Sequence, residues 1–584
     1  MRKTKIVCTI GPASENEKEF RELVLNGLNV ARLNFSHGTH EEHKAKIDVI
    51  KRVREDLDSS TAIMLDTKGP EIRTRDFENG SAELVKDQEF ILTIRDILGS
   101  NKIASVTYEG FVRDVKEGDI VLIDDGLICL EITEKINDTD LKCVVKNGGT
   151  VKNKKGINIP NVQINLPALT QRDIEDIKFG IEQGVDYIAA SFIRSAKDVI
   201  SIRRILEEEN ADIMIISKIE NRQGVENIDE IIEVTDGIMV ARGDLGVEIP
   251  AEEVPLVQKM LIKKCNDAGK PVITATQMLD SMMRNPRPTR AEVSDVATAI
   301  FEGSDAIMLS GETASGSYPV EAVQTMARIA EMIENSLDYE DILKAKKIGC
   351  TNKIADSISY ATCRTCLDLK ASAIISATSS GYTAAAVSKF RPAAPIIAAT
   401  ESEKVMRKLS LYWGVYPVKI SKMNSTDEII EMSVERALEL GYIENGDLTI
   451  ITAGVPVGIS GSTNLLKVHI VSELLYKKTG AGKETVIGRA RVAKNAEELR
   501  DKFEDGDIIV MTATDKDVID FISRASAIIV EEGGLTSHAF IAALNLGKEV
   551  VVGAENCTKM IKDGELLTVN GKQGAVYRGQ AKIM

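Results

Sequence analysis

Asp212-Ile-Met-Ile-Ile-Ser-Lys-Ile-Glu220 is an apolar run that turns polar at its C-terminal end. Its isoleucines favour a strand, and Lys218 and Glu220, two residues apart, fall on one face of the pleat. Seven other runs read the same way: Lys5–Ile10, Asn29–Phe35, Ala62–Asp66, Tyr187–Phe192, Gly237–Ala241, Pro271–Ala275 and Asp305–Leu309. With Asp212–Ile219 they make eight, most of them separated by roughly 25–35 residues, the length of a strand plus its helix. That pattern predicts α/β architecture, an eight-stranded (β/α)8 TIM-type barrel.

The long gap between Asp66 and Tyr187 breaks the spacing. It holds Lys116-Glu-Gly-Asp119, Asp124-Asp-Gly126 and Asn147-Gly-Gly149 as turns between short runs such as Ile120–Ile123 and Leu141–Val145, which predicts a small inserted β domain. The helical pattern returns at Thr170-Gln-Arg-Asp173, a capping sequence. Beyond about residue 330 a new α/β series begins, with strands expected at Ala373–Ala377, Pro395–Ala399, Val415–Ile420, Asp447–Thr452 and Lys467–Val471. Leu475–Lys483 reads as a linker to a last mixed α/β stretch. The expected organisation is therefore a barrel from 1–69 and 166–332, an inserted lid at 70–165, a doubly wound domain at 333–473 and an extra domain at 474–584.

The chain has 584 residues, 73 basic and 89 acidic, for a net charge of −16. That length requires several cores. The acidic balance argues against nucleic acid or a membrane surface as partner, while leaving room for a local cationic pocket. No apolar run reaches the roughly 18–20 residues of a membrane span, and the N-terminus lacks a signal-peptide pattern. Scattered cysteines and that N-terminus predict a cytoplasmic protein.

Barrel chemistry sits at the C-terminal strand ends. Here those ends carry Arg32, Asn34 and Ser36, then Asp66 and Thr67, Lys218 and Glu220, Gly243 and Asp244, and Thr276. Any one of these could be a satisfied strand-end hydrogen bonder, but five strands ending this way point to function. Glu220 and Asp244 offer hard oxygen ligands for magnesium or manganese, with no histidine to suit zinc. Lys218, Arg32 and Arg73 are read as converging on one mouth, an anion clamp of the kind phosphoryl transfer needs. Asn34, Ser36, Asp66 and Thr67 supply oxygens for a monovalent cation, or else a hydrogen-bonded strand-end cluster.

Other motifs read as structural. His37, His40 and His43 lack zincin spacing, and Thr39-x-x-Glu42 is a capping box. Cys363 and Cys366 have no second pair to complete a zinc site and read as buried small residues. Gly480-Ala-Gly-Lys483 lacks the upstream glycine of a phosphate loop and reads as flexible linker.

Over residues 1–473 the chain closely resembles the pyruvate kinase family. The resemblance rests on Lys5-Ile-Val-Cys-Thr-Ile-Gly-Pro12, Ala31-Arg-Leu-Asn-Phe-Ser-His37 and Leu65-Asp-Thr-Lys-Gly-Pro-Glu-Ile-Arg73. It continues through Ile215-Ile-Ser-Lys-Ile-Glu-Asn221, Met239-Val-Ala-Arg-Gly-Asp-Leu-Gly-Val247 and Ile273-Thr-Ala-Thr-Gln-Met278. The resemblance implies phosphoryl transfer from phosphoenolpyruvate to ADP, giving pyruvate and ATP. It assigns Lys218, Arg32 and Thr276 to catalysis, Arg32, Lys218, Gly243, Asp244 and Thr276 to substrate binding, and Arg73 and Lys155 to nucleotide phosphates. Glu220 and Asp244 would hold Mg2+ (or Mn2+), and Asn34, Ser36, Asp66 and Thr67 would hold K+, with Glu71 accompanying potassium dependence. It also implies a β-barrel lid, a homotetramer and a regulatory domain.

In that domain Thr378, Ser379, Ser380, Gly381 and Thr383 form a strand-to-helix turn suited to the phosphate of a phosphorylated small-molecule effector. The loop Thr452–Thr463 lacks the Arg and Trp of fructose-bisphosphate-responsive relatives, so a sugar monophosphate or nucleotide is the better effector. Glu532-Gly-Gly-Leu-Thr-Ser-His-Ala539 is similar to the phosphohistidine segment of phosphoenolpyruvate synthase and pyruvate phosphate dikinase, with His538 on the phosphorylated position. Leu544 and Lys548-Glu549 depart from that family's pattern, which favours a packing relic over a working carrier. The rival readings are a metal-dependent keto-acid lyase or aldolase on a similar barrel, or a phosphohistidine carrier working through His538.

Overall fold

Eight parallel strands close into a barrel in the computed structural model, which describes the chain except residues 163, 348–352, 423–424, 456–460, 462, 472–473 and 580–584. The barrel strands are β1 (Lys5–Thr9), β2 (Val30–Asn34), β3 (Ala62–Asp66), β4 (Tyr187–Ala190), β5 (Met214–Ile219), β6 (Gly237–Ala241), β7 (Val272–Ala275) and β8 (Ala306–Leu309). Each pairs in parallel with its neighbours, and β1 closes the ring against β8 with Lys5 opposite Ala306. The strands are almost wholly buried, because barrel side chains face either the interior or the surrounding helices. Thr39 caps His40–Asp56 and Thr170 caps Gln171–Gln183, each through a capping box that fixes where the chain re-enters a helix.

Between β3 and β4 the inserted residues form a seven-stranded sheet and a separate two-stranded one around their own apolar core. Backbone contacts divide the whole chain into two compact units, the first comprising residues 1–360, 378–419 and 460–462. The barrel and its insertion lie in the first unit, together with a parallel pair, Ile396–Thr400 with Val415–Lys419.

The second unit holds Ala373–Ala377 in parallel with Leu448–Gly454. The expected strand Lys467–Val471 is Thr463–Ile470, and it runs antiparallel to Leu448–Gly454 rather than continuing the parallel series. The same unit carries an eight-stranded sheet over residues 474–578. The predicted linker Leu475–Lys483 is not one. Leu474–Lys477 and Thr479–Ala481 are strands of that sheet, paired with Ala575–Arg578 and Glu549–Val552. Gly480 is there for close approach, since a Cβ on it would stand 2.4 Å from the Gly571 carbonyl oxygen. The Glu549 carboxylate, an oddity in the sequence, accepts the backbone N–H groups of Lys483 (2.7 Å), Glu484 (2.9 Å) and Gly571 (2.8 Å), pinning this segment down.

Candidate functional site

Polar groups at the C-terminal ends of β1 to β5 meet around one carboxylate. Asp66, which follows four apolar residues of β3, is 1% exposed. Its Oδ2 accepts from Arg32 Nε of β2 at 2.6 Å and its Oδ1 from Lys218 Nζ of β5 at 3.0 Å. Arg32 also donates to Thr9 Oγ1 of β1 at 2.7 Å. Lys218 reaches Glu220 Oε1 at 2.9 Å and donates to Ser191 Oγ, just beyond β4, at 2.7 Å. The Phe192 N–H donates to Glu220 Oε2 at 2.6 Å.

The charge states follow from this geometry. Burial opposes ionisation of Asp66, but Arg32 and Lys218 outweigh it and hold its carboxyl below the ordinary range. Burial alone would discharge Lys218; Asp66 and Glu220 reverse that and keep its ammonium charged to above the usual lysine range. Glu220 and Asp244, just beyond adjoining strands, are both raised, by desolvation first, with their proximity to other carboxylates adding to it. Glu220 is buried and Asp244 is exposed, and two carboxylates whose ionisation is opposed are what a divalent cation relieves, so the pair fits the expected Mg2+ or Mn2+. Among the described residues no group of three or more His, Cys, Asp or Glu side chains forms a metal cluster.

Asn34 pairs in register with Asp66, and the Phe35 N–H donates to the Asp66 carbonyl at 3.0 Å. Asn34 Oδ1 accepts the Ser36 N–H at 3.1 Å, and Thr67 is buried beside them. Three uncharged oxygen-bearing side chains and one carboxylate at two adjoining strand ends suit a potassium-sized cation. His40 and His43 buttress this loop. His43 stacks on Phe35 at 3.8 Å and its Nε2 bonds the His37 carbonyl at 2.9 Å, while His40 bonds Asp176 at 2.6 Å.

Beyond β7, Thr276 has φ +69° and Gln277 φ +54°, and Phe192 after β4 has φ +55°. For a β-branched residue this conformation costs about 1–3 kcal/mol and persists only where neighbours impose it. Arg242 does so, donating to the Thr276 carbonyl at 2.7 Å and to the Ala275 carbonyl at 3.2 Å while anchored on Asp295 at 2.6 Å. The Thr276 hydroxyl then accepts the Gly243 N–H at 2.7 Å, which joins two predicted substrate residues.

A cavity of about 770 Å3 opens above this floor, lined by Asp244 of the barrel and by Arg73, Asp124 and Lys155 of the insertion. Arg73 is held by Glu71 at 2.7 Å and by the Lys154 carbonyl at 2.8 Å, and Lys155 by Asp124 at 2.8 Å. Arg73 thus stands on the cavity wall, whereas Arg32 and Lys218 meet on Asp66 below. Asn158 of the insertion donates to Glu248 of the barrel at 2.8 Å, tying the two together.

The remaining candidates lie elsewhere. Gly381 takes φ +87° and its N–H donates to Thr378 Oγ1 at 2.9 Å; Thr378 and Thr383 are buried, whereas Ser379 and Ser380 are exposed. Much of the loop Thr452–Thr463 lies outside the described residues. His538 opens the helix His538–Leu546, with its Nδ1 at 2.9 Å from Thr514 Oγ1. Cys363 and Cys366 are buried thiols outside any disulfide, pushed up by burial, as packing residues should be. Sequence reasoning missed Ser191, Thr9 and Asp124. Ser191 had a signal, a polar side chain two residues after Ala189 on the alternation of β4.

Comparison with known proteins agrees with this geometry. The family description "Pyruvate kinase, barrel domain" matches residues 1–323, "Pyruvate kinase, alpha/beta domain" matches 356–469, and "PEP-utilising enzyme, mobile domain" matches 503–574. The pyruvate kinases of Geobacillus stearothermophilus and Bacillus licheniformis are 55% and 54% identical to the chain, each comparison covering 100% of both proteins. The crystal structure of a pyruvate kinase from Cryptosporidium parvum superposes with a TM-score of 0.77 at 40% identity, over 80% of this chain and 96% of that one. The chain belongs to the pyruvate kinase family of phosphotransferases, and carries in addition a segment of the PEP-utilising type.

Proposed function

We propose that the protein transfers the phosphoryl group of phosphoenolpyruvate to ADP with Mg2+ (or Mn2+) and K+ as cofactors, in the last step of glycolysis. The observation that carries this reading is Asp66, fixed between Arg32 and Lys218 beside the Glu220–Asp244 pair. Arg32 and Lys218 draw the phosphoryl oxygens into the mouth. As the enol P–O bond breaks, the terminal phosphate oxygen of ADP takes the phosphoryl group, and Lys218 stabilises charge on the migrating group and on the enolate oxygen. The enolate carbon then takes a proton beside Thr276, giving pyruvate. Arg73 and Lys155 meet the nucleotide phosphates from the insertion, which acts as a lid that excludes water. When bound at Glu220 and Asp244, the divalent ion neutralises phosphate charge and orients both substrates. Asn34, Ser36, Asp66 and Thr67 hold potassium.

On the same reading the barrel (1–69, 166–332), lid (70–165), regulatory (333–473) and extra (474–584) domains assemble as a cytoplasmic homotetramer regulated by a phosphorylated effector. Exposed Ser379 and Ser380 support an effector contact at that turn. No described helix is long and apolar enough to cross a membrane. A phosphohistidine role for His538 is supported by its tethered Nδ1, which leaves Nε2 as the nitrogen to carry phosphate. Acid-labile phosphate on His538 after incubation with phosphoenolpyruvate would test it.

The main reading is tested by coupling pyruvate formation to lactate dehydrogenase. Turnover should require phosphoenolpyruvate, ADP, divalent cation and potassium, and Lys218→Ala should abolish it. Persisting activity in that variant refutes the assignment, and keto-acid cleavage indifferent to ADP would favour a lyase instead.

A further inference from the structure

Ser191 lies between two residues with proposed roles and has been given none. We propose that Ser191 is a positioning residue that couples the monovalent-cation ligand Thr67 to the ammonium of Lys218; the inference rests on the roles proposed above for those two residues. A lysine ammonium has three donors, and three acceptors surround Lys218: Asp66 Oδ1 at 3.0 Å, Glu220 Oε1 at 2.9 Å and Ser191 Oγ at 2.7 Å. Asp66 is also engaged by Arg32, and Glu220 by the Phe192 N–H. Ser191 is the neutral member of the three, so it is the contact most readily exchanged for a phosphoryl oxygen without separating opposite charges.

The other groups of Ser191 turn towards Thr67. Its hydroxyl donates to the Thr67 carbonyl at 2.6 Å, with Asp66 Oδ1 a longer alternative at 3.3 Å, and its N–H donates to Thr67 Oγ1 at 3.1 Å. A shift of Thr67 therefore changes the direction in which Ser191 offers its lone pair to Lys218. The surroundings leave Ser191 little freedom to relax. It is 4% exposed, and Gly69 packs so closely that a Cβ there would stand 2.9 Å from Ser191 Cβ.

The test compares the wild-type enzyme with Ser191→Ala, Ser191→Cys and Ser191→Thr. Phosphoenolpyruvate binding with Mg2+ and without ADP is measured calorimetrically in potassium chloride and in tetramethylammonium chloride, and kcat is measured separately. Wild type and Ser191→Thr, which keep the hydroxyl, should bind more tightly in potassium. Ser191→Ala and Ser191→Cys should lose that difference, and kcat should fall by about 10- to 100-fold, as loss of a hydrogen bond to a charged group implies, with the KM for ADP unchanged. If Ser191→Ala does not fold, Ser191→Cys, nearly the same size but a weak acceptor, carries the same arm. A Ser191→Ala or Ser191→Cys enzyme with wild-type kcat and an intact potassium effect overturns the coupling alone. A wild-type enzyme indifferent to potassium overturns the cation reading of Asn34, Ser36, Asp66 and Thr67, and the coupling falls with it.

Discussion

Asp66→Asn is the most informative single change, because it keeps the shape of the side chain and removes only its charge. Asp66 is buried, with Arg32 at 2.6 Å and Lys218 at 3.0 Å. Removing one partner of a buried charge cluster costs about 3–5 kcal/mol, since the remaining charges stay desolvated. The amide also turns an N–H towards a cation. We therefore expect the unfolding transition that includes the barrel to lose about that much in urea at pH 7. The sign of the pH dependence is fixed by the lowered folded-state pKa. The Asp66 contribution is present above the unfolded value, about 3.9, and is lost as pH falls through the folded one. The Asp66 part of the difference between wild type and Asp66→Asn should thus shrink below about pH 4, while any change between pH 7 and pH 5 reports Glu220, whose raised carboxyl shares Lys218. Circular dichroism across a urea series at several pH values reads this directly. A difference under about 1 kcal/mol at pH 7, the range of an exposed ion pair, would refute the buried-cluster argument.

Three further outcomes follow from particular contacts. Glu220→Gln should raise the divalent-cation concentration for half-maximal rate by about tenfold or more, as loss of one charged ligand implies, with a smaller effect on the KM for ADP; steady-state titration with Mg2+ checks it. Lys155→Ala, on the cavity wall, should raise the KM for ADP several-fold while leaving that for phosphoenolpyruvate near wild type, since its partner is Asp124 of the insertion. Gly480→Ala should destabilise the 474–578 sheet by about 1–3 kcal/mol, an overpacking cost, because its Cβ would stand 2.4 Å from the Gly571 carbonyl oxygen and 2.6 Å from Gly574 Cα. Hydrogen exchange in Thr479–Ala481 would report that loss.

What the sequence determined by itself was local and periodic. Apolar runs with polar ends, spaced a helix apart, announced the barrel, and Lys218 and Glu220 two residues apart on one strand announced a site at its mouth. Capping boxes at Thr39 and Thr170 were equally legible, because a cap is an interaction across three residues. Tertiary structure decided whatever depends on partners distant in the chain. Leu474–Lys477 and Thr479–Ala481 are too short to announce themselves as strands, and only pairing with residues about a hundred and about seventy positions later makes them so. The placing of Arg73 on the cavity wall against Glu71, away from Asp66, depends on how the insertion folds back over the barrel. Ser191 was visible as a residue but not as a contact, since its meaning lies in Lys218 and Thr67, brought to it from neighbouring strands by the closure of the barrel.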